Sequence, residues 1–131
     1  MKTIPESHRD LLTGVTFAHL ATLMKDGAPQ VTPVWIDIDG EIVVFNTAEG
    51  RLKTRNLDRD GRVALSIQDP QNPYRYLQIR GRVIDRTHQG ADAHIDKLAK
   101  KYLGLDAYPY RNPAEQRVVY RIEPSSVQAY G

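Results

Sequence analysis

The sequence predicts a mainly β protein, an antiparallel barrel of six strands with two or three peripheral helices. Stretches in which apolar and polar residues alternate recur along the chain, as half-buried strands require. Asp26-Gly27 and Asp39-Gly40, pairs typical of tight turns, separate the first of these stretches. No regular alternation of strand and helix indicates a parallel sheet. A length of 131 residues suits one domain, so residues 1–131 are expected to form a single compact domain.

The first three predicted strands cover residues 16–24, 30–39 and 41–47. Short hairpin connections between them favour an antiparallel meander. Pro33 lacks a backbone donor, so it indicates a sheet edge, a bulge, or a place where something other than a strand approaches. His19 alternates with apolar residues and is interpreted as a core or interface histidine.

The pattern changes after the third strand. Residues 48–60 are rich in helix formers, and they predict a short surface helix with Leu52 and Leu57 as its large apolar anchors. The charged residues of this segment have spacings that allow ion pairs within the helix. Residues 62–68 then predict the fourth strand.

The second half of the chain predicts two more strands and a second long helix. A strand over 74–86 contains Gly81, which indicates a bend or bulge. Apolar residues at helical spacing predict an amphipathic helix over 89–103, which ends near a glycine. Residues 116–131 predict the last strand, broken at Pro124 and followed by a short extension.

Composition excludes several kinds of chemistry. The chain has no cysteine, which rules out disulfides and thiol catalysis, and its four histidines lack metal-ligand spacing, so no metal site is expected. A net charge of +2 argues against nucleic acid as the partner. The N-terminus lacks the apolar core of a signal peptide, and no apolar run approaches the roughly 20 residues that span a bilayer. We expect a cytoplasmic protein that binds a small molecule and no membrane.

One short segment concentrates positive charge. Residues 49–62 read "EGRLKTRNLDRDGR" and contain Arg51, Lys53, Arg55, Arg59 and Arg62. Arginine forks, a lysine and the backbone N–H groups at a helix start bind phosphate well, although a solvated basic helix face explains the composition equally well. No nucleotide P-loop or Rossmann motif is present. Because no self-sufficient catalytic group stands out, an enzymatic role would require a cofactor.

The order "HLATLMKDGAPQVTPVWIDIDGEIVVFNTAEGRLKTRNLDRDGRVALSI" resembles the split β-barrel flavin and deazaflavin oxidoreductases of the pyridoxamine 5′-phosphate oxidase-like superfamily. More narrowly, it resembles the branch that uses coenzyme F420, a deazaflavin with a phospholactyl-oligoglutamate tail. The most specific element is "RLKTRNL", the pattern R-x-K-x-x-N-L. The resemblance implies an FMN-binding split barrel of six strands and an obligate homodimer with cofactor sites between the subunits.

The resemblance also implies roles for particular residues. Arg51 and Lys53 would bind the cofactor phosphate, Asn56 would hold the tail or the local helix geometry, and Arg55 adds charge for the tail. Asn46 and Thr47 would approach the ribityl chain. Backbone groups of one segment would line the deazaflavin ring, namely Gln30, Val31, Thr32, Pro33, Val34 and Trp35. The partner subunit's contribution has no recognisable motif, and "YRYLQIR" and the tyrosines of "AYPYR" are candidates.

The implied function is an F420H2-dependent reductase that transfers a hydride to a small conjugated or electrophilic acceptor. An FMN-dependent oxidase or reductase of the same fold and a non-catalytic F420 carrier are the alternatives. No catalytic residue is assigned, and Tyr74, Tyr76, Tyr110 or solvent could supply the proton. The tail "SSVQAYG" lacks the basic pair with which pyridoxamine 5′-phosphate oxidase binds its substrate phosphate, which argues against that substrate.

Overall fold

A computed structural model describes all 131 residues as one antiparallel sheet of seven strands with helices around it. The strands are β1 (Phe17–Leu23), β2 (Pro29–Trp35), β3 (Asp37–Asp39), β4 (Ile42–Ala48), β5 (Arg62–Asp69), β6 (Asn72–Thr87) and β7 (Arg117–Tyr130). The helices are α1 (Asp10–Thr13), which follows a 3-10 turn at Glu6–His8, α2 (Leu52–Arg59) and α3 (Ala91–Leu103). The strand order is β2-β1-β5-β6-β7-β4-β3.

The sheet curls into a barrel because its two edge strands are consecutive in the chain. β2 and β3 lie at opposite edges of the sheet, and only Ile36 separates them. The Ile36 N–H donates to the Tyr102 hydroxyl at 2.9 Å, and the Ile36 carbonyl accepts from Lys101 Nζ at 2.6 Å. These bonds take Ile36 out of the ladder, so the single strand predicted over 30–39 is two strands and the count is seven rather than six. The barrel prediction itself is confirmed.

The barrel interior is filled by the inward-facing apolar side chains of its strands. Leu20, Leu65 and Ile79 are almost inaccessible to solvent, and the ring of Phe45 stacks on that of Tyr120 with centroids 5.3 Å apart. The Tyr120 hydroxyl donates to the Asp58 carboxylate at 2.9 Å. Since Asp58 belongs to α2, this bond connects the core to the helix with the dense basic cluster.

The two long strands β6 and β7 confirm one prediction and contradict another. Their register shifts between Arg80 and Gly81, as a bulge at Gly81 requires, and a Cβ at Gly81 would collide with the carbonyl oxygen of Glu123. The predicted break at Pro124 is wrong, because β7 continues to Tyr130. Pro124 pairs with Gly81 at this bulge, and its carbonyl accepts the Lys2 N–H at 3.0 Å.

Three smaller predictions need correction. Helix α2 begins at Leu52, later than predicted, and Leu57 is buried whereas Leu52 is 36% exposed and anchors nothing in the core. His19 is exposed on the outer face of β1, which contradicts a core position. The acidic partners of the basic segment do not pair along the helix, since Glu49 and Asp58 both bind Arg86 of β6. Helix α3 ends as predicted, with Gly104 in the left-handed conformation at φ 73°.

Candidate functional site

A cleft of about 220 Å³ opens where β2, the start of α2 and the loop before β7 meet. Its walls combine aromatic rings with cations, a combination suited to a flat, anionic ligand. The residues that line it are Phe17, Pro33, Val34, Trp35, Asn46, Thr47, Arg51, Lys53, Ile95, Tyr108, Tyr110 and Arg117.

The end of β4 and the start of α2 form one wall. The Thr54 hydroxyl donates to the Ala48 carbonyl at 2.8 Å, which fixes the helix directly after the strand. Arg51 at the N-cap and Lys53 in the first turn therefore lie beside Thr47, the last cleft residue of β4. Local chain geometry alone brings this wall together.

Three cations converge in the cleft, and Lys53 lies among them half-buried. Burial lowers the pKa of Lys53, and the positive charges of Arg51 and Arg117 lower it further. Lys53 Nζ is 3.5 Å from the Thr32 hydroxyl and has no carboxylate partner. Arg51 and Arg117 share Glu115, at 3.3 and 3.2 Å. A bound anion would relieve the repulsion among these like charges.

Thr47 carries an unsatisfied polar atom. Its hydroxyl oxygen is the one buried side-chain nitrogen or oxygen of the protein without a hydrogen-bond partner. Buried hydroxyls normally have a partner, so an orphan in a cleft wall indicates a place for a ligand oxygen. The position of this hydroxyl among three cations fits a ligand that carries a phosphate.

A second wall comes from residues far apart in the sequence. Asn46 of β4 is nearly buried, and its Oδ1 accepts from Arg117 Nε at 2.9 Å. Its Nδ2 donates to the Ala91 carbonyl at 2.9 Å and lies 3.1 Å from His94 Nδ1. The amide of Asn46 is thus fully used by the protein, and the side chain of Arg117, only 10% exposed, is held against the cleft.

An aromatic group completes the cleft. Trp35 stacks on Tyr102 with centroids 4.9 Å apart, and Tyr108 meets Trp35 edge-on at 6.0 Å. Tyr110 packs against Tyr108 at 5.6 Å, and the Arg117 guanidinium lies over the Tyr108 ring at 5.4 Å. Such a cluster offers a planar ring an apolar surface beside the cations.

The structure brings together most of the residues that the sequence assigned to the cofactor. Those lining the cleft are Pro33, Val34, Trp35, Asn46, Thr47, Arg51 and Lys53. Thr32 does not line the cleft, but its hydroxyl is 3.5 Å from Nζ of the cleft residue Lys53. Gln30 and Val31 do not line it, and Val31 is 61% exposed. The roles proposed for these residues in binding stay predictions.

Asn56 and Arg55 both lie outside the cleft, Asn56 in the interior and Arg55 at the surface. Asn56 is fully buried beneath α2, where its Nδ2 donates to the Thr22 hydroxyl at 3.1 Å. Thr22 in turn donates to Gln30 Oε1 at 3.1 Å, so these groups connect α2 to β1 and β2. This position favours the helix-geometry role for Asn56. Arg55 is exposed.

Three cleft residues were not predicted, namely Phe17, Ile95 and Arg117. Strand pairing and helix packing bring them to the cleft, and no local motif indicates this. Tyr108, considered only as a contribution of the partner subunit, lines the cleft of its own chain from the loop before β7. Of the three tyrosines considered as proton donors, Tyr110 lines the cleft, whereas Tyr74 and Tyr76 do not. No group of three or more histidine, aspartate or glutamate side chains is placed to hold a metal ion. No helix is long and apolar enough to cross a membrane.

Comparison with known families agrees with this architecture. The family model for pyridoxamine 5′-phosphate oxidase matches residues 4–131. The chain belongs to the pyridoxamine 5′-phosphate oxidase family. The resemblance inferred from "RLKTRNL" and the preceding strands is therefore confirmed at the level of the superfamily. A comparison with curated proteins finds no match.

Solved structures of the pyridoxamine 5′-phosphate oxidase-like fold superimpose over nearly the whole chain. A structure described as an F420 reductase is 37% identical, with a TM-score of 0.84, and the match covers 95% of this chain and 98% of that one. A conserved hypothetical protein from Mycobacterium tuberculosis is 19% identical, with a TM-score of 0.73 and coverage of 99% and 89%. General Stress Protein 26 from Bacillus anthracis is 14% identical, with a TM-score of 0.69 and coverage of 95% and 92%. The last two matches reflect the fold alone.

Proposed function

We propose that the cleft binds the phosphate-bearing chain of coenzyme F420 and that the protein is an F420H2-dependent reductase. The observation that carries the proposal is the half-buried Lys53 between Arg51 and Arg117, beside the orphaned hydroxyl of Thr47. Identity of 37% with a structure described as an F420 reductase supports the deazaflavin over other phosphate ligands.

The residues of the cleft would divide the work of binding. Arg51, Lys53 and Arg117 neutralise the phosphate, and the Thr47 hydroxyl donates to one of its oxygens. The Trp35 segment and the tyrosine cluster flank the ring and exclude water from it. When bound, the reduced cofactor supplies a hydride to an electrophilic carbon or conjugated acceptor. Tyr110, which lines the cleft, is the favoured proton donor through its hydroxyl.

The same proposal includes a homodimer. The outer face of β1 and β2 exposes Phe17 at 53% and Val31 at 61%, together with His19. Phe17 also lines the cleft, so a second copy packed on this face would cover apolar surface and complete the cofactor site. Substitution of Val31 by glutamate should shift the protein toward the monomer in sedimentation, and an unchanged mass would argue for a different interface.

FMN is the alternative cofactor. It also carries a phosphate, so the three cations alone do not discriminate between FMN and F420. A cofactor carrier without turnover is the second alternative. The exposed Arg55, one helical turn from Arg51, favours F420, because an oligoglutamate tail extends the negative charge beyond the phosphate.

The test is a fluorescence titration of the purified protein with F420 and, separately, with FMN over a series of salt concentrations. We expect tight, salt-sensitive binding of F420 and weak binding of FMN. Preference for FMN would retain the fold and replace the cofactor, and failure of both to bind would contradict the assignment of the cleft. Oxidation of F420H2 by a panel of conjugated acceptors then separates a reductase from a carrier.

A further inference from the structure

His94 lies on the far side of Asn46 from the cleft, yet hydrogen bonds connect it to Arg117. His94 Nε2 is 3.0 Å from Asp37 Oδ2, and its Nδ1 is 3.1 Å from Asn46 Nδ2. Asn46 Oδ1 accepts from Arg117 Nε at 2.9 Å. The side chains of His94 and Asp37 are only 14% and 16% exposed. A continuous and largely buried line of four side chains therefore ends at a cation of the cleft.

The chemistry of the neighbouring groups determines which side chain donates and which accepts in each hydrogen bond of this line. The Ala91 carbonyl can only accept, so the NH2 group of Asn46 faces it, and Arg117 Nε–H can only donate, so the amide oxygen faces Arg117. The second hydrogen on Asn46 Nδ2 then points at His94 Nδ1, which must offer its lone pair. His94 is accordingly neutral, with its proton on Nε2 and directed at Asp37.

Asp37 is suited to hold that proton in place. Burial by itself would raise the pKa of Asp37, but hydrogen bonds from His94, the Ile38 N–H and Lys97 outweigh it and lower the pKa well below its usual range. Asp37 therefore stays ionised and accepts from His94 Nε2. Removal of the imidazole would leave one Nδ2 hydrogen of the buried Asn46 amide without its acceptor. The amide would then be held on that side by the Ala91 carbonyl alone, which would loosen its bond to Arg117.

We infer that His94 is a positioning residue for the anion cleft, which sets the orientation of the Arg117 guanidinium through Asn46. The inference rests on the proposed function only in taking the anion to be a phosphate. Its first readout is independent of any ligand. In the 15N-labelled protein, the Nε–H signal of Arg117 should be protected from exchange, and the His94 ring nitrogens should report the Nε2–H tautomer. A ring protonated at Nδ1 or an unprotected Arg117 signal would overturn the inference even where no variant folds.

Two substitutions of His94 separate positioning from general damage to the fold. In His94→Gln, one amide supplies both an acceptor toward Asn46 and a donor toward Asp37, so the Arg117 signal should stay protected. In His94→Leu both the acceptor and the donor are lost, and the Arg117 Nε hydrogen should exchange with solvent. The inference is wrong if the glutamine variant loses protection as the leucine variant does.

The second readout is binding of F420, with inorganic phosphate as a simple anion probe. We expect His94→Leu to weaken both by roughly fivefold, the effect of one misplaced hydrogen bond, and His94→Gln to retain wild-type affinity. In an Arg117→Ala background, His94→Leu should have no further effect, since a positioning residue acts only through its target. Equal losses in both backgrounds would contradict the inference. If F420 binds nowhere in the cleft while phosphate follows this pattern, the cofactor assignment fails and the positioning role stands.

Discussion

The two walls of the cleft both carry cations but are built in different ways. The wall formed by β4 and α2 takes Thr47, Arg51 and Lys53 from seven consecutive residues, and local hydrogen bonds fix it. The second wall takes Arg117 and Tyr108 from the other end of the chain, and the contacts of Arg117 with Asn46 and with the Tyr108 ring hold them. The first wall can be inferred from a motif, and the second exists only after β7 has paired with β4. The anion of the proposed function would lie where the two walls meet.

The largest expected effect tests the first wall, which β4 and α2 form. Lys53→Met removes the cation nearest the centre of the cluster, and we expect it to weaken F420 binding by about 1.5–3 kcal/mol, the usual contribution of a charged hydrogen bond. The control is Lys100→Met, because Lys100 is an exposed lysine of α3 that pairs with Asp106. Equal affinities for Lys53→Met and the wild type in a fluorescence titration would remove Lys53 from the phosphate site.

The difference between the walls also explains what the sequence predicts. The pattern R-x-K-x-x-N-L and the alternating strands before it predict the barrel, and they predict that Arg51 and Lys53 lie close to Asn46 and Thr47, as the cleft shows. Phosphate binding by this segment stays a prediction. Ile36 is different, since it leaves the ladder to donate to the Tyr102 hydroxyl and to accept from Lys101, both on a helix much later in the chain. Arg117 is missed for the same reason, as no local pattern shows that Asn46 accepts from it.

The next effect distinguishes a residue that stabilises the wall formed by β4 and α2 from the residues that would bind the ligand there. Asn56 lies under α2 rather than in the cleft, and Asn56→Ala would leave the buried Thr22 hydroxyl without its donor. We expect the free energy of unfolding to fall by about 1–3 kcal/mol in urea denaturation. The matched control is Arg55→Ala on the exposed face of the helix. Wild-type stability with weakened F420 binding would instead place Asn56 at the ligand.

Glu115, which binds an arginine of each wall, offers a smaller effect of opposite sign. Its carboxylate pairs with both Arg51 and Arg117, so an incoming phosphate must compete with it. We expect Glu115→Gln to tighten phosphate and F420 binding by roughly two- to fivefold, as the loss of a partly exposed ion pair permits. Asp106→Asn, which removes an exposed carboxylate from the same loop, should change neither affinity. Weaker binding by Glu115→Gln would mean that the carboxylate orients the two arginines.

The smallest effect is a dependence of F420 affinity on pH, which originates at Lys53 in the first wall. Burial and the neighbouring Arg51 and Arg117 lower the pKa of Lys53 in the free protein, and a bound phosphate would raise it again. The ligand therefore prefers the protonated lysine. Affinity for F420 should be constant while Lys53 is protonated in both the free and the bound protein, and it should fall as the pH rises through the lowered pKa of Lys53 in the free protein.

Lys53→Arg provides the decisive comparison for this dependence, because a guanidinium stays charged throughout the accessible range. Its affinity for F420, measured at constant ionic strength, should be independent of pH where that of the wild type declines. A decline of the same size in both proteins would assign the dependence to another group of the site. If only the wild type declines, the proton lies on Lys53, and the two arginines that lower its pKa come one from each wall. Such a result would place the titrating proton in the first wall, with burial and then the arginines of both walls as the causes of its lowered pKa.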